Sequence, residues 1–173
     1  DIIGKEKVHQ GLRKFLKDYS FQTAPCPTSR DLVSALRVEA GPEYQELITD
    51  LFERIVLYDL QVDSANAREI VGGYEVTVEV TGKQFEADGR GKETEEPLDT
   101  WFDVAVFAET DKPFEEATPL FIEKHRIRSG KQVLTVRTAE MPGSVALDPF
   151  HKRIERSPTN NSLRIGVIKA GQP

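Results

Sequence analysis

One cysteine in 173 residues leaves no partner for an internal disulfide and no thiolate set for a structural metal. That residue, Cys26, lies between Pro25 and Pro27, in a stiff loop with no adjoining helix N-terminus to lower its pKa, so it reads as an inert loop cysteine. Long apolar runs are missing too: none approaches the roughly 20 residues needed to cross a bilayer. The opening Asp1-Ile2-Ile3-Gly4 has neither the basic stretch nor the apolar stretch of a secretion signal. The chain does not begin with methionine, and its single methionine is Met141. We therefore expect a soluble piece excised from a longer polypeptide, with targeting information outside these residues. A basic surplus is also lacking. Lys and Arg number 23 against 29 Asp and Glu, a net charge of −6, which argues against nucleic acid as a partner. Only His151-Lys152-Arg153 stands out as a basic cluster.

Motifs that carry chemistry are scarce in the same way. There is no Gly-x-Ser-x-Gly elbow and no phosphate-binding Gly-x-x-x-x-Gly-Lys-Ser/Thr loop. The three histidines, His9, His125 and His151, include no His-Glu-x-x-His pair and no two that share a helix face, so each reads as a surface residue. Glu86, Asp88, Glu93, Glu95, Glu96 and Asp99 gather in one stretch. Asp88-Gly89-Arg90-Gly91 departs from calcium-loop spacing and would place an arginine among the ligands. A solvated sheet edge whose charges discourage aggregation accounts for these acids better. No catalytic, cofactor-binding or metal-binding residue is assigned.

What is present is pattern. From Gly73 to Gly82, Tyr74, Val76, Val78 and Val80 alternate with Glu75, Thr77, Glu79 and Thr81, a strand with one apolar face. Before residue 56 the period is helical. Val8, Leu12, Phe15, Leu16 and Tyr19 form one stripe of a helix over 5–19. Thr28 or Ser29 caps a second helix, buried through Leu32, Val33, Leu36 and Val38. Pro42 opens a third, with Tyr44, Leu47, Ile48, Leu51, Phe52 and Ile55 on its apolar face. After residue 55 short strands follow: 56–62, an extension through 65–71, 101–109 with Phe102, Val104 and Val106 on one face, 120–127, 132–138, 145–147 and an edge strand over 162–169. The stretch 84–99 is a hairpin loop or an exposed edge. The expectation is an α+β chain, with a three-helix segment over 1–55 followed by an antiparallel, immunoglobulin-like β-sandwich over 56–173.

Gly11-Leu-Arg-Lys-Phe-Leu-Lys-Asp-Tyr-Ser-Phe21 and Pro27-Thr-Ser-Arg-Asp-Leu-Val33 resemble the helical stretch downstream of the catalytic site in zinc aminopeptidases of the alanyl-aminopeptidase family. Asp50-Leu-Phe-Glu-Arg-Ile-Val-Leu-Tyr-Asp59 and Ala146-Leu-Asp-Pro-Phe-His-Lys-Arg-Ile-Glu-Arg156 are similar to its bacterial branch, in which a peptidase-like part is fused to a membrane transporter permease. The resemblance covers nearly the whole chain through loose, mainly structural motifs. It implies that the zinc-binding His-Glu-x-x-His, the distant glutamate ligand and the transition-state tyrosine lie before residue 1. Tyr19 and Tyr58 do not stand in for that tyrosine. Zinc is then expected in the parent protein, with no cofactor in this chain.

The expected function is a non-catalytic C-terminal accessory domain that supports or closes the peptidase domain of a membrane-associated protein. Its partners are the upstream peptidase domain of the same polypeptide and a transporter complex, without nucleic acid and without direct membrane insertion. The alternative is an independent β-sandwich that binds a protein or peptide at an exposed strand edge.

Overall fold

The computed structural model describes residues 2–168, and these divide after Ile55 into two compact units. The first is helical: α1 (Lys5–Tyr19), α2 (Ser29–Ala40), a 3-10 turn (Pro42–Tyr44) and α3 (Gln45–Phe52). Thr28 starts α2 with a reciprocal capping box, its backbone N–H donating to Asp31 Oδ2 at 2.7 Å. Those bonds from Thr28 hold the Asp31 carboxyl below its ordinary pKa. Gly11 is the buried residue of α1, and a Cβ there would stand 3.0 Å from Leu36 Cδ2, so α1 and α2 meet through a glycine. Val33, Ala40 and Ile48 form a small core, with Ile3 and Tyr44 packed against it.

Two expectations need correction here. Leu12 and Leu16 of the α1 stripe, Val38 of α2, and Leu51, Phe52 and Ile55 are exposed. The helices close around one side only, so part of each apolar stripe stays exposed. The third helix also stops at Phe52, and Ile55 already belongs to a strand.

The second unit carries β1 (Ile55–Ile70), β2 (Gly73–Ala87), β3 (Glu93–Glu96), β4 (Asp99–Phe107), β5 (Phe121–Arg128), β6 (Gly130–Thr138), β7 (Ser144–Leu147), β8 (Ser162–Arg164) and β9 (Gly166–Ile168). One sheet has the order β3-β2-β1-β9, with β6 also paired to β2; the other runs β5-β4-β7-β8. β2 pairs antiparallel with β3 and β6, β4 with β5 and β7, and β7 with β8, whereas β9 lies parallel to β1. Val76, Val78 and Val80 of β2 meet Phe102, Val104 and Val106 of β4 in one core, so the two sheets stack face to face. The fold is therefore α+β, with two mostly antiparallel sheets arranged as a sandwich.

β1 runs unbroken through 56–62 and the extension expected over 65–71 as far as Ile70, and Val71-Gly72 turns it into β2. Gly72 and Gly73 both have positive φ, and a Cβ on Gly73 would lie 2.1 Å from the Thr138 carbonyl oxygen. The acidic stretch holds an edge strand, β3, whose Glu95 pairs with Phe85. The final strand expected over 162–169 is split in two at Ile165, and Lys169 lies outside the described residues.

Candidate functional site

The outer face of the four-stranded sheet holds a buried carboxylate between two lysines. Asp103 sits inside the run Trp101-Phe-Asp-Val-Ala-Val-Phe107, and strand alternation turns it away from the core that Phe102 and Val104 enter. It is only 6% exposed. Lys124, opposite it on β5, donates to Oδ1 at 2.7 Å, and Lys152 donates to Oδ2 at 2.7 Å. Burial pushes the Asp103 carboxyl up, but the hydrogen bonds and charges of the two lysines outweigh burial and hold it below its ordinary value. Beside it, Ala105, Phe107 and Ala146 are covered by Phe114, which stacks on Phe107, and by Ala117.

Lys152 belongs to the segment 148–156, which acts as a strap. Asp148 and His151 both take positive φ, which turns the chain sharply, and Asp148 Oδ2 accepts the Arg153 N–H at 2.9 Å. The strap then lies along β1: the Tyr58 N–H donates to the Ile154 carbonyl, and the Arg156 N–H donates back to Tyr58. Between those two bonds a side chain of the strap meets the Leu60 N–H. That N–H donates to both Glu155 carboxylate oxygens, at 3.2 and 3.3 Å, and the Ser157 N–H adds another bond. Burial raises the Glu155 pKa against the pull of these backbone donors. Arg156 ends the strap over the Phe85 ring and pairs with Glu93 at 3.0 Å.

The residues singled out in the sequence are scattered over the structure. His9 is half-buried on α1. His125 lies on β5 beside Phe121, with Nε2 buried and making no hydrogen bond. His151 Nε2 is 3.1 Å from Glu115 Oε1. The acids are drawn into local structure: Asp88 accepts the Arg90 and Lys92 N–H groups, and Asp99 pairs with Arg126 and Arg128. Cys26 is a free, exposed thiol. Tyr19 hydrogen-bonds Asp31, and its pKa is raised by burial and by that carboxylate. Tyr58 is a core residue, edge-on to Phe102. Among the described residues no group of three or more His, Cys, Asp or Glu is placed to hold a metal ion. A recess of about 280 Å³ opens beside Phe107, Glu109, Lys112 and Glu116. It brings acid, base and threonine together but contains no histidine or cysteine.

The sequence reading passed over Asp103 and Glu155. Asp103 had a signal, since an acid in the middle of an apolar run needs a partner. Glu155 had none, because its role depends on a strand about ninety-five positions earlier in the chain. No protein-family model and no curated protein matches the chain. Among the described residues no helix is long and apolar enough to cross a membrane.

Proposed function

We propose that this chain is the non-catalytic C-terminal accessory region of a zinc aminopeptidase-like, membrane-associated protein, with an immunoglobulin-like sandwich that supports or closes the peptidase domain. The observation that carries this reading is the engagement of the 148–156 strap, which lies within one of the two segments that resemble the permease-fused branch. Lys152 is turned to Asp103, Glu155 to the Leu60 N–H and Arg156 to Glu93, so its charges fasten the sandwich. The helical unit supplies a contact surface for the upstream peptidase domain of the same polypeptide, through exposed Leu16, Phe21, Leu51 and Phe52. Zinc belongs to that upstream domain, and a transporter complex is the wider setting.

The test joins this chain to the polypeptide encoded upstream of Asp1 and compares it with the upstream part alone. The joined protein is expected to be more thermostable and to hold its aminopeptidase activity longer, while this chain alone cleaves no aminoacyl substrate. Stoichiometric zinc and aminopeptidase activity in this chain alone would sink the proposal. A second reading, an independent strand-binding module, draws on the open edge of β6, which pairs only with β2 among the described residues. An upstream reading frame without a peptidase would favour it.

A further inference from the structure

β3 and β6 follow one another along the side of β2 that faces away from β1. β3 pairs with Gln84–Ala87, and β6 with Tyr74–Gly82. Among the described residues no further strand pairs with this composite edge. Its charges are segregated along its length. β6 holds Lys131 and Arg137 and no acid, whereas β3 reads Glu93-Thr94-Glu95-Glu96, all exposed. Between them Val133 stands 60% exposed. Charges of one sign on an edge deter strand addition. Here the sign reverses from one end to the other, so an antiparallel copy of the same edge meets its complement.

We infer that two copies of this chain pair antiparallel along the β3–β6 edge, so that one sheet runs through both. Arg137 pairs with Glu75 and Glu95 with Phe85, positions equidistant from Val80, where Gln132 pairs. A two-fold axis at Gln132 therefore sets Arg137 of each copy against the partner's Glu95, on the same sheet face. Val133 then lies opposite the partner's Lys131, whose aliphatic stem covers it. An axis one place along, at Lys131, would still face Arg137 with the partner's Glu93, but it would set the two Lys131 side chains against each other and leave Val133 opposite the gap between β3 and β6, which favours the first register. Arg137 already touches Glu75 at 3.2 Å, yet its side chain remains 73% exposed and reaches outward. Within one chain Arg137 and Glu95 are about 33 Å apart along β2, so they pair only between copies.

Sedimentation equilibrium of the 173-residue chain at low salt tests this, with circular dichroism to verify folding. The expected result is a concentration-dependent dimer that weakens as salt screens the exposed pairs. Arg137→Glu alone and Glu95→Arg alone each place like charges twice across the two-fold and weaken association about tenfold or more. The combined R137E/E95R chain recovers wild-type association. Glu95→Gln and Arg137→Gln give smaller losses and serve if a reversal disturbs the fold. A monomer at every concentration overturns the inference and leaves the edge to a foreign strand. A dimer indifferent to the reversals, or one the combined variant fails to recover, overturns it equally.

Discussion

Removing both lysines from Asp103 is expected to invert that carboxyl's contribution to the pH dependence of the sandwich's stability. Each ammonium is 2.7 Å from a different carboxylate oxygen, and the lysines are 38% and 39% exposed. Breaking a buried ion pair costs roughly 3–5 kcal/mol when it strands a charge. Screening at lysines this exposed reduces the loss, so Lys124→Met or Lys152→Met alone is set at about 1 kcal/mol. The double variant strands the carboxylate and is set at about 3 kcal/mol, more than the sum of the singles. The sign with pH follows from the carboxyl. In the wild type its folded pKa is depressed, so its contribution is present above the unfolded value of about 3.9 and is lost as pH falls through the folded value. In the double variant burial acts alone and raises the folded pKa, so stability falls as pH rises through it. The deficit relative to wild type thus widens upward from about pH 4. Urea unfolding followed through Trp101, the single tryptophan and a neighbour of Asp103 on β4, measures this. Additive losses with a flat pH profile would refute the reasoning.

Glu155→Ala leaves the Leu60 N–H without its acceptor and is expected to cost about 1–3 kcal/mol in the same unfolding assay. Because the folded Glu155 pKa is raised, the wild type loses stability as pH rises through it; E155Q keeps an acceptor and flattens that slope. Gly143→Ala would place a Cβ 2.4 Å from the Glu109 backbone nitrogen, and should lower stability by about 3 kcal/mol or block folding, as read by circular dichroism. Ile48→Ala empties the centre of the helical core and should cost about 3 kcal/mol in the helical transition, leaving the Trp101 transition of the other unit in place.

Local pattern predicted what local pattern controls. The alternation of Val76, Val78 and Val80 and that of Phe102, Val104 and Val106 correspond to the two faces of one core. Thr28 and Asp31 announce the start of α2 in the same way. The helical stripes overstated burial at Leu16 and Phe52, because periodicity reports which face is apolar and not whether anything covers it. Gly11 was invisible as a packing residue for the opposite reason: it contributes closeness rather than apolar area. Glu93-Thr-Glu-Glu96 has little strand propensity, and its pairing with β2 decides its conformation. The strap on β1, the β1–β9 pair and the two lysines on Asp103 join residues far apart in the chain, and no window of sequence contains both partners.

The strap also sets a clock. At about 5–20 residues per second, a ribosome needs roughly 5–20 s to travel from Leu60 to the Glu155 that satisfies it. In the later part of that interval, once Ala87 has been made, the β1–β2 hairpin can form while the outer edge of β1 still lacks both the strap and β9. That edge of the nascent sandwich closes only after residues 154–168 have been made, well behind β1 itself. Slowing translation lengthens the period in which this edge of β1 stays open to another strand.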